Sequence, residues 1–163
     1  MVRHGSNLEV VVGDLLRGRG LTLALSESCT GGLLGHRITS VSGSSDYFRG
    51  AIVGYAADVK RELLGVREET LARHGAVSEE TAREMARGAR RVIRADLGVS
   101  ITGIAGPTGG TPEKPVGLVY IGLAAPDGEW VERHVWEGDR RQNKAQSAEA
   151  ALDLLRRYLE GKV

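Results

Sequence analysis

Apolar residues at Leu8, Val11, Val12, Leu15 and Leu16 fall at helical spacing, with Ser6 or Asn7 as a cap and Gly18 and Gly20 as the stop. LTLALS at 21–26 has the length and composition of a short strand, and Leu33, Leu34 and Ile38 mark a helix beginning at about Thr30. GAIVGYA at 50–56 reads as a second strand, followed by a short helix from about Asp58 to Leu64. Ser78 with Glu79 and Glu80 opens the clearest helix, whose Ala82, Met85, Ala86, Ala89, Val92 and Ile93 form one stripe. LGVSITGIAG predicts a strand running into a glycine turn. VGLVYIGLAA and EWVERHVW, joined through Pro126-Asp127-Gly128, predict a hairpin. A last helix follows Asp139 and runs to about Leu159. This order predicts an α/β fold: a three-layer α/β/α sandwich with a mixed, mostly parallel sheet and a C-terminal hairpin. Ligands in such folds sit at the carboxyl ends of the strands.

Composition narrows the function classes. The chain has 163 residues, 41% of them hydrophobic, enough for one domain spanning 1–163 with its own core. Lys and Arg number 22 against 21 Asp and Glu, so charge gives no case for nucleic-acid binding. The arginine-rich face of the Ser78 helix (Arg83, Arg87, Arg90, Arg91, Arg94) is interleaved with Glu79, Glu80 and Glu84 and reads as a solvated surface. A single cysteine forms no internal disulfide and no cysteine-based zinc site, and the four histidines lack paired ligand spacing, so no metal is expected. With no signal core and no apolar run near ~20 residues, the expectation is a cytoplasmic protein without membrane contact.

The stretch Ser26-Glu27-Ser28-Cys29-Thr30-Gly31-Gly32 stands at the predicted strand-to-helix corner. Free backbone N–H groups and a helix N-terminus there favour an anion, and glycines let it approach. The stretch matches neither the P-loop nor the GxGxxG fingerprint, nor the GxSxG elbow, although Ser28 occupies the analogous corner. A serine needs a base. Tyr55 and Lys60 leave the second strand at its carboxyl end, close to Ser28 if the strands are neighbours, and a partly buried lysine can serve. From spacing alone the plainer reading prevails, with Lys60 a surface lysine on a helix and Tyr55 a half-buried strand residue. Cys29 with His36 or His74 is the competing nucleophile; an isolated cysteine beside a strand also fits as a small buried hydrophobe.

These motifs carry a resemblance. ESCTGG, GSS at 43–45, YxxxxK from Tyr55 to Lys60, HGAVS at 74–78, SITGIAGPTGG at 100–110, KPVG at 114–117 and GDR at 138–140 resemble the C-terminal domain of the CinA competence-damage-inducible proteins, the PncC-type nicotinamide mononucleotide amidases. The resemblance runs from about Leu8 to Leu159 and implies the stand-alone form, without the N-terminal molybdopterin-binding-like domain of larger members. It implies hydrolysis of nicotinamide mononucleotide to nicotinic acid mononucleotide and ammonia in pyridine nucleotide salvage, without a cofactor. By position it implies Ser28 as nucleophile, with Tyr55 and Lys60 as its catalytic partners. The family's YSNEAK-like segment reads YAADVK here, so Ala56 and Ala57 replace a serine and an asparagine. In the resulting scheme Lys60 takes the Ser28 proton, N–H groups at the helix start hold the oxyanion, and Tyr55 orients the lysine or relays its proton.

Candidates for the substrate and its phosphate are Thr30, Gly31 and Gly32, Ser44 and Ser45, Thr102, Gly103 and Gly106 of the glycine loop, Lys114, and Arg140. Arg140 and Arg141 serve equally well as the opening residues of a helix capped by Asp139. A homodimer is expected from short edge strands, the apolar hairpin and the resemblance. Two other classes stay open: a module that binds a nucleotide without hydrolysing it, and a non-catalytic interaction domain, for instance in DNA uptake.

Overall fold

A computed structural model describes residues 7–163. Six helices enclose a five-stranded sheet: α1 (Leu8–Arg19), β1 (Leu23–Glu27), α2 (Leu33–Thr39), β2 (Phe48–Val53), α3 (Ala57–Leu64), α4 (Glu68–His74), α5 (Glu79–Ile93), β3 (Leu97–Gly103), β4 (Leu118–Ala125), β5 (Gly128–Val135) and α6 (Arg140–Leu159). A single 3-10 turn at Ser44–Asp46 precedes β2. The strand order is β2-β1-β3-β4-β5; β1 runs parallel to β2 and β3, and the β3–β4 and β4–β5 pairs are antiparallel. The sandwich is thus mixed, with its parallel strands on one side and the hairpin on the other. Among the described residues no helix is long and apolar enough to cross a membrane.

Two faces of the sheet are built differently. Toward α1, α2 and α6 it presents large side chains, and Leu23, Leu25, Val99, Ile101, Ile121 and Leu123 join Val12, Leu16, Ile38, Leu152 and Leu155 in the main core. Toward α5 it presents Ala24, Gly98, Ser100 and Gly122, so the helix settles close against the strands: Ser100 donates to the Ala82 carbonyl at 2.6 Å, and a β-carbon built on Gly98 would come 2.2 Å from the Ala86 carbonyl oxygen. α3 packs as tightly on the outer side of α5, because a β-carbon on Gly88 would lie 1.9 Å from the carbonyl oxygen of Leu64. This seating brings α3 and the loop before α5 over the carboxyl ends of β1, β2 and β3.

The sequence expectations hold for the helix caps at Ser78, which accepts from the Thr81 N–H at 3.1 Å, and at Asp139, which forms a capping box with Gln142. Asn7 stands at the N-cap of α1 without a side-chain bond, and Ser6 lies outside the described residues. Near the site two boundaries differ and one helix was missed. β2 ends at Val53, so Tyr55 lies beyond the strand; α4 goes unnoticed in the sequence; and α2 starts at Leu33 rather than near Thr30. The last shift has a local cause: Gly31 and Gly32 adopt φ of +63° and +104°, conformations that continue no helix.

Candidate functional site

Ser28 directly follows β1, and Lys60 lies in the first turn of α3, after the neighbouring strand β2. Parallel pairing puts both at the same end of the sheet. The Lys60 ammonium nitrogen is 3.0 Å from Ser28 Oγ. It also donates to the carbonyls of Gly54 at 2.7 Å and Tyr55 at 3.2 Å. Lys60 is 1% exposed and has no carboxylate partner among the described residues, and burial pushes its pKa below the ordinary 10.5. A neutral amine has two N–H donors and one lone pair. Once Lys60 gives up a proton, its two remaining donors can stay on the two carbonyls and leave the lone pair for the Ser28 hydroxyl, the arrangement of a general base beside its nucleophile.

The turn carrying Ser28 is held from behind by Glu27. That side chain is fully buried, and its carboxylate accepts from the Thr30 hydroxyl at 2.6 Å and from the backbone N–H groups of Leu34 and Gly35, each at 2.9 Å. The start of α2 therefore already has its anion, supplied by the chain itself. The N–H groups of Leu34 and Gly35 are thereby engaged and are not open to a substrate. Thr30, 1% exposed, is likewise committed to Glu27. Further forward, the backbone N–H groups of Cys29, Thr30 and Gly32 have no protein acceptor among the described residues, and two of them directly follow the nucleophile.

A cavity of about 340 Å³ opens over this corner, lined by Ser28, Cys29, Tyr55, Lys60, the 76–77 and 102–106 segments and Arg140, among others, with no Asp or Glu in its wall. Its size suits a small molecule. Of the residues proposed from sequence, Ser28, Tyr55, Lys60, Thr102, Gly103, Gly106 and Arg140 meet here. Thr102 also fixes one wall, donating to the Ala76 carbonyl at 2.7 Å. Arg140 serves both of its proposed roles: it is the first residue of α6, and its guanidinium donates to the Gly106 carbonyl at 2.8 Å and the Tyr55 hydroxyl at 3.3 Å.

Other placements correct the expectations. The Tyr55 side chain is 63% exposed at the cavity mouth and its hydroxyl meets Arg140; only its backbone carbonyl reaches Lys60, so the relay role has no contact behind it. Ser44 and Ser45 precede β2 and lie at its amino end, across the sheet from the cavity. Lys114 is outside the wall, its ammonium donating to the His74 carbonyl. Gly31 and Gly32 shape the turn but do not line the cavity. Sequence reasoning missed Glu27, Ala76 and Val77.

Cys29 shares the wall, but burial pushes its thiol up to about 11, with the nearby Lys60 and Lys144 charges only partly offsetting this. A thiol held protonated is the poorer candidate nucleophile of the two. Neither His36, exposed on α2, nor His74 lines the cavity. Among the described residues no cluster of His, Cys, Asp or Glu is able to hold a metal ion. A larger groove of about 560 Å³ runs along α6 past Leu8, Trp136 and Ala150, yet it holds no nucleophile.

The geometry agrees with what the chain resembles. The family model of the CinA C-terminal domain matches residues 5–159. A putative competence-damage inducible protein of Thermoanaerobacter sp. is 53% identical over 154 residues, covering 94% of this chain and 37% of that protein. A CinA-like protein of Salinibacter ruber is 53% identical over 152 residues, with 93% and 37% coverage. The chain thus spans little more than a third of these relatives. Among solved structures, a CinA superfamily protein from Klebsiella pneumoniae superposes with TM-score 0.91 at 33% identity, covering 94% of this chain and 96% of that one. A competence/damage inducible protein from Agrobacterium tumefaciens gives TM-score 0.90 at 37% identity, covering 98% and 99%. With the family model matched over nearly its whole length, this chain belongs to the CinA C-terminal domain family.

Proposed function

We propose that this domain is an amidohydrolase that converts nicotinamide mononucleotide and water to nicotinic acid mononucleotide and ammonia through a Ser28 acyl-enzyme. One observation carries the reading: a buried lysine without a counter-ion stands 3.0 Å from a serine hydroxyl at the floor of a cavity. Neutral Lys60 accepts the Ser28 proton as Oγ bonds to the amide carbon. The oxyanion formed takes hydrogen bonds from the free N–H groups of Cys29 and Thr30. The C–N bond then breaks, and the Lys60 ammonium returns its proton to the departing nitrogen, which leaves as ammonia. Water, deprotonated by the same lysine, adds to the ester and releases the acid together with Ser28. Arg140 and Tyr55, joined at the mouth, contact the part of the substrate that stays outside.

Ammonia release from nicotinamide mononucleotide by the purified protein tests this, run beside Ser28→Ala and Lys60→Met. Release that both substitutions abolish is the expected result. Binding without release would instead identify a nucleotide-binding module, with Ala56 and Ala57 as the departure that separates it from active relatives. In a cell the reaction belongs to cytoplasmic salvage of pyridine nucleotides.

A further inference from the structure

We infer that Glu27 is a positioning residue for the amide chemistry: its buried carboxylate clasps the turn after Ser28 and keeps the N–H groups of Cys29 and Thr30 facing the oxyanion as it forms; this rests on the amidase reading above. The turn is closed twice. In the main chain, the Gly31 N–H donates to the Ser28 carbonyl at 3.0 Å, so that Cys29 and Thr30 lie between the two ends and their own N–H groups have no protein acceptor among the described residues. In the side chains, the Thr30 hydroxyl donates to Glu27 Oε1 at 2.6 Å and closes the same stretch from behind. The second closure is needed because Gly31 and Gly32 come next, with φ of +63° and +104°, and two glycines leave the backbone free to re-aim the donors.

The same carboxylate reaches across those glycines to α2. Oε1 accepts from the Leu34 N–H and Oε2 from the Gly35 N–H, each at 2.9 Å. In the other direction, the main-chain carbonyl of Glu27 accepts from the Gly54 N–H at 2.8 Å, and the Gly54 carbonyl holds the Lys60 ammonium at 2.7 Å. Glu27 therefore stands between the donors for the oxyanion and the anchor of the base. Its side chain has no exposed surface and, among the described residues, no ion pair with Lys, Arg or His. A buried carboxylate without a counter-ion is costly to keep. What it supplies is preorganisation: donors aimed before the reaction begins need no rearrangement while charge develops.

The test measures kcat and KM for nicotinamide mononucleotide in the unmutated chain, Glu27→Gln, Thr30→Val and Thr30→Ser, with circular dichroism as the check on folding. Glutamine keeps the shape but must turn an NH₂ group toward N–H donors. Expected is a fall in kcat of about 10-fold or more in Glu27→Gln and about 3- to 10-fold in Thr30→Val, with KM within about 2-fold, whereas Thr30→Ser keeps the hydroxyl and most of the rate. An unchanged kcat in folded Glu27→Gln, or equal losses in Thr30→Val and Thr30→Ser, overturns the inference; should Glu27→Gln not fold, the Thr30 pair decides. Pyridine-3-boronic acid separates this role from the amidase reading. On binding, the Ser28 Oγ–B bond forms, the Oγ–H bond breaks with its proton passing to Lys60, and boron keeps its own bonds, which leaves a tetrahedral anion where the oxyanion would stand. If no amide is hydrolysed, boronate affinity weakened about 3-fold or more by Thr30→Val and kept by Thr30→Ser supports the positioning role while the amidase reading fails. Affinity that Thr30→Val leaves unchanged, or no adduct with the unmutated chain, overturns the role as well.

Discussion

Two turns rich in serine and glycine flank the parallel strands, Ser26–Gly32 after β1 and Ser42–Ser45 before β2, and they have opposite fates. The first lies at the carboxyl end of the sheet, where Ser28 is 7% exposed and Glu27 completely buried. The second lies at the amino end, where Ser45 is exposed and Asp46 meets Arg17 in a pair with 62% and 42% of their side chains open to water. Residue types are nearly the same. Strand direction decides which turn faces α3, α6 and the 102–106 segment and so acquires a base, donors and walls, whereas the other faces solvent.

The sharpest way to break this comparison is to remove the chemistry from the first turn. Ser28→Ala or Lys60→Met is expected to lower amide hydrolysis by ~10³-fold or more, measured as ammonia release. Next in size is the support behind it. Glu27→Ala leaves a hydroxyl and two N–H groups without their carboxylate and is expected to cost about 3 kcal/mol by chemical denaturation. The matching Asp46→Ala in the second turn costs about 1 kcal/mol or less, because its ion pair is open to water; similar losses for the two would mean that burial does not separate the turns.

The lysine supplies a pH signature. In the proposed mechanism Lys60 acts as the base when neutral, and its pKa is lowered by burial, so kcat/KM is expected to rise with pH and level off below the ordinary 10.5. Stability follows the same direction: between the folded value and 10.5 the unfolded chain holds the additional proton, so folding gains as pH rises, and Lys60→Met removes that slope. Cys29→Ala, which deletes only a protonated thiol, is expected to change turnover less than about 3-fold and stability by about 1 kcal/mol. Smallest of all, Ser44→Ala and Ser45→Ala should leave the Michaelis constant unchanged and stability within about 0.5 kcal/mol.

Much of the architecture was legible because it is written in short-range signals. Helical stripes, the Pro126–Gly128 hairpin turn, the Ser78 cap and the Asp139 capping box each depend on residues within a few positions of one another. The pairing of Ser28 with Lys60, 32 residues apart, was raised by strand placement but favoured only through family resemblance, since spacing alone favours a surface lysine. Glu27 was unreadable for a different reason. In the sequence it is one polar residue in a polar turn, and only a strand buried along its whole length makes an enclosed carboxylate in need of three donors. Ser44 and Ser45 misled because composition carries no information about which end of a strand a turn occupies.

The tight contact between α5 and α3 bears on engineering. Replacing a helical glycine by alanine is a routine route to a more stable protein, worth up to about 1 kcal/mol in helix propensity. At Gly88 the added methyl would collide with the Leu64 carbonyl at the end of α3, the helix that carries Lys60. A variant with alanine there is expected to shift Lys60 away from Ser28, so the position is closed to optimisation although it lies on a different helix from the lysine.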